Sequence, residues 1–364
     1  MAIRKIVISG YYGFNNAGDE AMLYAILRSL RALYPKADIT VISGRPDETA
    51  KTFHVHGIPR FGGFSILKSL LQCDLLISGG GSLLQDVTSS RSLLYYLSII
   101  GAGLFFGKKV FLYGQGIGPL HRKWVCRLLS FVLSHVDAIT VRDQKSNEFL
   151  QRLGVTAPLY TTADSVLSLP QVDLAQGKDI LRRAGVPDGQ RVVGISVRSW
   201  LGEEKWISEF HDYIERLSQG PNVSVVFIPM QYPEDKRIGE SICRGLSKKH
   251  IYFLDGSYNA PELMSIIGNL DLLVGMRLHA LIFAALMHVP LLGISYDPKI
   301  DNFLADIGKD SVFPVSAFHG ETLYNKTKEF LLLRQEWDWN RVESLRKQAG
   351  KTIEILRETI GKQT

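Results

Sequence analysis

Short apolar runs of strand length alternate with stretches whose hydrophobic positions recur at helical spacing, beginning with the first residues of the chain. In the first half the runs fall at 3–9, 39–43, 75–78, 110–113 and 138–141, with helical patterns at 19–33, 93–106 and 124–133. Alternation of this kind predicts an α/β architecture with a parallel sheet covered by helices on both faces. Residues 165–177 interrupt it with Pro170 and mixed polar positions and read as a linker. A second series follows, with strands at 192–197, 223–228, 251–254, 272–274 and 291–295 and helices at 207–217, 261–267 and 278–287. The pattern at 339–360 is one more helix. Two Rossmann-like domains facing each other across a central cleft are therefore expected, at 1–170 and 178–335. A helical tail at 336–364 is placed to pack back on the first domain.

Composition narrows the class. A chain of 364 residues is too long for one ordinary core, and 46% hydrophobic with 21% charged residues is a globular balance that leaves disorder to the termini. The formal charge of +6 suits an anionic ligand or an anionic membrane surface, and no basic run is dense enough to suggest nucleic acid. Cys73, Cys126 and Cys243 are widely separated, form no CxxC pair and provide no disulfide framework, which fits a reducing cytoplasm. A strand from residue 3 leads straight into a glycine-rich turn, so no signal peptide is expected. The most apolar stretch, SLLYYLSIIGAGLFFG at 92–107, is shorter than the roughly 20 residues of a membrane span and reads as a buried helix; the other reading is a face resting on a bilayer.

Candidate chemistry gathers in the second domain. Loops after parallel strands collect on one sheet edge, where ligands bind. Arg198 follows the strand at 192–197. Gly275-Met276-Arg277-Leu278-His279 follows 272–274 and opens a helix, and Tyr296-Asp297-Pro298-Lys299 follows 291–295. Taken singly, Arg198 could be a strand-end ion pair, Arg277 and His279 ordinary helix-start residues, and Lys299 a solvated lysine. Three cations and a histidine on one edge, one of them at a helix start, instead describe a pocket for a small and highly charged anion.

The segments RLHALIFAALMHVPLLGISYDPKI (277–300), GYYGFNNAGDEAML (10–23), ISGGGSLLQD (77–86) and YGQGIGPL (113–120) together resemble the polysaccharide pyruvyl transferase family. Within it the chain is most similar to CsaB-type enzymes, which pyruvylate the cell-wall polymer that anchors S-layer proteins in Gram-positive bacteria. The resemblance implies a glycosyltransferase-B-like fold, phosphoenolpyruvate as donor, and a lipid-linked sugar acceptor, β-N-acetylmannosamine. It places Arg198, Arg277, His279 and, in the SYDPK turn, Lys299 at the donor. Phosphoenolpyruvate is a substrate, so no cofactor is implied. A cytoplasmic enzyme at the inner face of the membrane, touching it peripherally, is the matching location.

Ketal formation needs a proton on the enol carbon, loss of a proton from an attacking hydroxyl, and departure of phosphate. His279 is the candidate acid. A helix start and neighbouring Arg277 disfavour its imidazolium, and an anionic donor would reverse that. In the first domain, the turn after the first strand carries Tyr11, Asn15 and Asn16, whose rings and amides suit a sugar. Asp19 can serve as general base toward a hydroxyl, or can simply complement a helix dipole. Gly80 and Gly81 allow close backbone approach, with Gln85 and Asp86 at the rim, and Asp86 competes with Asp19 for the base role. Gln115 ends the fourth strand and is expected to line the cleft. Arg142 and Asp143 read as an internal ion pair. No Asp-x-Asp occurs, and His54 and His56 are two apart with no carboxylate or thiol partner nearby along the chain, so no metal is expected. Two other readings remain: a nucleotide-sugar glycosyltransferase of the same fold, for which Glu262 could hold a ribose, and a non-catalytic glycan- or anion-binding protein.

Overall fold

The computed structural model describes residues 3–86, 90–200, 203–220, 222–310, 313–314, 317–333 and 337–361. The chain forms two compact units. The first comprises Met1–Phe14, Asp19–Leu169 and Leu345–Thr364; the second comprises Asn15–Gly18 and Pro170–Ser344.

In the first unit the strands are β1 (Lys5–Ser9), β2 (Asp38–Ser43), β3 (His56–Pro59), β4 (Leu75–Ser78), β5 (Gly81–Leu84), β6 (Lys109–Ile117), β7 (Ala138–Val141) and β8 (Leu159–Thr161). The helices are α1 (Ala17–Leu33), whose first two residues fall in the second unit, then α2 (Pro46–Phe53), α3 (Gly63–Gln72), α4 (Ser90–Phe105), α5 (Lys123–Leu133) and α6 (Gln144–Arg152). The sheet is parallel throughout, in the order β3-β2-β1-β4-β6-β7-β8, with β5 paired to β6. Side chains alternate across β1: Ile6 and Ile8 join one core cluster with Leu23, Ile26 and Leu30 of α1, while Val7 joins the other with Leu70, Leu97 and Leu129 of α3, α4 and α5. Leu356 and Ile360, near the chain end, join the α1 cluster.

The second unit holds β9 (Arg191–Ser196), β10 (Val223–Phe227), β11 (Ile251–Phe253), β12 (Leu272–Gly275), β13 (Leu291–Ser295) and β14 (Phe313–Pro314). Its helices are α7 (Ala175–Arg183), α8 (Glu203–Ser218), α9 (Glu234–Ile242), α10 (Ala260–Gly268), α11 (Leu278–Leu286), α12 (Pro298–Asp306), α13 (Gly320–Leu333) and the start of α14 (Asn340–Ile360). The parallel sheet runs β11-β10-β9-β12-β13-β14, the doubly wound order that reverses beside its first strand. α8 closes one face, with Phe210 and Ile214 against Val193 and Ile195.

Two local expectations change. Residues 165–177 are not an open linker: Ser165–Ser168 form a 3-10 helix and α7 begins at Ala175. The strand expected at 110–113 continues to Ile117, and its extension provides the ladder on which the short β5 pairs. Gly81 and Ser82, read as part of a turn, therefore lie in a strand. The helix expected in the apolar stretch at 92–107 is α4, which buries Leu93, Tyr96, Leu97, Ile99, Ile100 and Gly103 along one side.

Candidate active site

In the second unit the strand order reverses between β9 and β12, and the crevice at such a reversal is where doubly wound sheets bind ligands. Gly275 pairs with Ser196 of β9 and Gly293 of β13, and the Met276 N–H still donates to the Ser196 carbonyl at 2.8 Å. The backbone thus leaves β12 in register with β9. Arg277 then adopts the extended cap conformation before α11. Arg198, Arg277 and the 296–299 turn consequently follow three adjacent strands.

Arg277 is held by a carboxylate. Its Nε donates to Asp235 Oδ2 at 3.0 Å, its Nη2 donates to Asp235 Oδ1, and Nη2 also reaches Gln231 Oε1 at 3.2 Å. The Asp235 side chain is almost fully enclosed and also accepts the N–H groups of Met230 and Gln231. A buried bidentate pair of this kind fixes the plane of the guanidinium. His279, two residues on, is half-buried in the first turn of α11, with Nε2 shielded from solvent. Gly18 packs directly on its ring: a Cβ there would lie 2.1 Å from Nδ1. The Asn15–Gly18 segment is tied to the same unit by the Ala17 N–H on the Met230 carbonyl at 2.8 Å and by a bridge between Asn16 and Gln231.

Arg198 and Lys299 meet at Tyr296. The Arg198 guanidinium sits 4.8 Å from the ring centroid and donates to the phenol oxygen at 2.8 Å, and the Lys299 ammonium lies 5.4 Å from the same centroid. Asp297 caps α12 by accepting the Lys299 N–H and pairs with its ammonium at 3.2 Å. Of the four residues expected at the donor, Arg198 and Lys299 thus share the Tyr296 ring, while Arg277 and His279 are sequence neighbours at the start of α11.

In the first unit the sheet also reverses, between β1 and β4, and glycine turns follow both strands. Tyr12 fills the space beneath them: a Cβ on Gly79 would lie 2.0 Å from its hydroxyl and one on Gly10 2.3 Å from its ring. Gly80 and Gly81 are buried against the first turns of α1, where added Cβ atoms would approach Met22 Sδ at 2.9 Å and Asp19 Oδ1 at 3.4 Å. Gly81 has φ +98, which favours glycine. Glu20, next to Asp19, accepts the Gly13 N–H at 2.7 Å, and burial pushes its carboxyl up to about 7.

A family model described as polysaccharide pyruvyl transferase matches residues 16–298, spanning the Gly18, Arg198, Arg277 and His279 positions. The chain belongs to the polysaccharide pyruvyl transferase family. A curated relative, the amylovoran biosynthesis protein AmsJ of Erwinia amylovora, is 22% identical over 84% of this chain and 86% of its own length. Solved structures share the fold at low identity. S. aureus MnaA with UDP has a TM-score of 0.67 at 11% identity, covering 97% of this chain and 95% of its own. The UDP-GlcNAc 2-epimerase of Methanocaldococcus jannaschii has 0.67 at 12%, covering 97% and 99%. Anabaena HepE with UDP-glucose has 0.62 at 12%, covering 98% of each chain. These neighbours establish the two-Rossmann, glycosyltransferase-B-like fold of this pyruvyl transferase family member.

Several positions differ in setting from their expected use. Gln115 does not present its amide to a ligand: it is fully enclosed, and its NH2 donates to Ser78 Oγ at 2.8 Å and the Gly79 carbonyl at 2.6 Å. Asp86 is engaged in closing a loop, accepting the N–H groups of His121 and Arg122. Tyr11 already stacks one ring face on Phe14 at 4.3 Å. Asn15 and Asn16 belong to the second unit rather than the first, and Asn16 Oδ1 accepts the Gly18 N–H. Gln85 is half-buried at the end of β5. Arg142 is paired chiefly with Asp164 at 3.2 Å and with Ser82, and only loosely with Asp143 at 3.8 Å. Burial pushes the Cys73 and Cys243 thiols up to about 11 and about 12, so neither is a thiolate nucleophile at neutral pH.

Sequence reasoning did not single out Asp235, Gln231, Gly18 or Glu20, and it mentioned Tyr296 only as part of its turn. Asp235 sits in the first turn of an ordinary amphipathic helix, 42 residues from Arg277, and carries no local mark of its role.

Proposed function

We propose that the protein transfers a pyruvyl group from phosphoenolpyruvate to two hydroxyls of a sugar, forming a 4,6-ketal and releasing phosphate. The acceptor we assign is β-N-acetylmannosamine in a lipid-linked cell-wall polymer precursor, on the resemblance to CsaB-type enzymes. The observation that carries the reading is the placement of Arg198 and Arg277 on either side of the strand-order reversal, with His279 beside the second. Arg277, oriented by Asp235, and Arg198 with Lys299 bind the carboxylate and phosphate of the donor. They also offset charge that builds on the leaving oxygen; loss of one such group costs on the order of 2–4 kcal/mol of barrier.

His279 delivers its proton to C3, turning the methylene into a methyl and making C2 electrophilic. A sugar hydroxyl adds to C2 and gives its proton to a carboxylate. Phosphate then departs with the C2–O bond pair, and the second hydroxyl closes the ring, its proton leaving on the phosphate as hydrogen phosphate while the proton held by the carboxylate restores that given up by His279. We assign the base role to Asp19, whose Oδ1 lies 3.4 Å from the point that a Cβ on Gly81 would occupy; amide substitution at Asp19 and at Asp86 separates the two. The overall balance is one donor plus one diol giving one ketal and one phosphate. No metal or cofactor is invoked.

The nucleotide-sugar reading loses its ribose candidate. Glu262 forms a capping box with Asn259 at the start of α10 and accepts a bond from Gln176. Incubation with labelled phosphoenolpyruvate and a β-N-acetylmannosamine-containing disaccharide tests the proposal. Acceptor-dependent phosphate release with a ketal in the product is expected. Sugar transfer from a UDP-sugar without phosphoenolpyruvate turnover would sink it.

A further inference from the structure

Exposed apolar side chains concentrate on one layer of the first unit. Of the ten large hydrophobic residues that are exposed among the described residues, seven lie on or beside α3, α4 and α5. Phe61, Phe64 and Phe105 are 87%, 82% and 85% exposed, and Phe131 is 68% exposed. Each helix uses its other side for the core: Leu70, Leu97 and Leu129 are buried in the cluster beneath the sheet. Phe64, Leu67 and Leu71 follow one another at three- and four-residue spacing, so they form a stripe pointing away from that core. Between α3 and α4 lies an open groove of about 320 Å³, lined by Arg60, Phe61, Ile66, Leu67, Tyr95 and Ile99. Single exposed apolar residues are ordinary, but a patch spread over three adjacent helices marks an interaction surface.

The charge of this layer is equally one-sided. Between residues 60 and 134 the chain has eight Lys and Arg against two Asp and Glu, an excess of six that equals the +6 of the whole protein. Both acids are engaged with backbone: Asp74 accepts the N–H groups of Arg4 and Lys5, and Asp86 those of His121 and Arg122. Lys109 is paired with Asp137. Lys68, Arg91, Arg122, Lys123 and Arg127 are exposed and carry the outward charge.

We propose that the α3–α4–α5 layer docks on the surface of an anionic lipid bilayer, with its phenylalanines inserted among the headgroups and its cations against lipid phosphates. Aromatic and aliphatic side chains interleaved with Lys and Arg are the composition of interfacial helices. A second copy of this chain is the wrong partner, because it would bring an equal basic excess against the first. No helix among the described residues is long and apolar enough to cross a membrane, so the contact is with one leaflet. The inference does not depend on the reaction proposed above, and its test reads binding alone.

Flotation of the full chain with vesicles of phosphatidylcholine, or of phosphatidylcholine mixed with phosphatidylglycerol, tests it. Binding is expected to the mixed vesicles only, and to weaken steeply with salt. The triple variant Phe61→Ser, Phe64→Ser, Phe105→Ser and the double variant Lys68→Glu, Arg127→Glu should each bind at least about tenfold more weakly while unfolding at an unchanged temperature. Equal binding to both vesicle types, no flotation, or flotation unaffected by either variant overturns the proposal. So does self-association by light scattering that the triple variant abolishes, which would assign the face to a second copy.

Discussion

Gly18 and His279 are in direct packing contact: the space a Cβ would need on the glycine is already filled by the imidazole, with Nδ1 at 2.1 Å from that point. The motif GDEAML therefore owes its glycine to a ring 261 positions later in the chain, rather than to a turn. Gly18→Ala is expected to displace His279 and lower kcat by about 100-fold, the usual cost of moving a reacting group by an ångström. Steady-state phosphate release, alongside thermal unfolding to check the fold, measures it. Turnover close to that of the unaltered protein would remove His279 from the chemistry.

Arg277 and Asp235 form a mutually dependent pair, both largely enclosed. Asp235→Ala leaves a buried guanidinium without its counter-charge and is expected to cost on the order of 3–5 kcal/mol of stability. Arg277→Ala should abolish turnover and also destabilise, by leaving Asp235 behind. The double variant is expected to be more stable than the sum of the singles implies. A double-mutant cycle from urea midpoints should give a coupling of at least about 1 kcal/mol. Simple additivity would mean that the pair does not act as a unit.

Asp19 and Asp86 can be separated by amide substitution. Asp19→Asn is expected to reduce kcat by about 100-fold or more, as for loss of a general base. Asp86→Asn should leave kcat within a few fold and lower stability by about 1 kcal/mol, through weaker bonds to the 121–122 backbone. The reverse ranking would transfer the base role to Asp86.

Glu20 supplies a pH dependence of stability. Its carboxyl ordinarily titrates near 4.5 and is pushed up to about 7 in the folded chain, mainly by burial. The folded state therefore holds a proton that the unfolded state has released between these values, so stability falls as pH rises from about 4.5 to about 7 and is flat beyond. The loss is on the order of 3 kcal/mol. Glu20→Gln should match the unaltered protein at pH 4.5 and exceed it at pH 8 in denaturant midpoint, since the amide oxygen can still accept the Gly13 N–H. Equal midpoints at both pH values would contradict the burial argument.

The alternation of β and α segments was readable because it is written in short-range periodicity. A parallel strand such as β12 is a run of apolar residues bounded by a turn, and a helix such as α5 repeats its buried positions every three to four residues. The same logic put Arg198, Arg277 and the 296–299 turn on one sheet edge, since every parallel strand delivers its following loop to the same side. What such periodicity cannot contain is the identity of a neighbour distant in the chain. Asp235 is an ordinary acid in the first turn of an ordinary helix until β9 and β12 become adjacent and bring Arg277 to it. Gln115 reads as a polar strand end until the long β6 carries it under the Gly79 turn. Gly18 reads as a turn glycine until His279 occupies its side-chain space. Local pattern is dictated by backbone geometry within a few residues, whereas hydrogen-bond partners and close contacts depend on strand order and layer packing, which arise only when the whole sheet assembles.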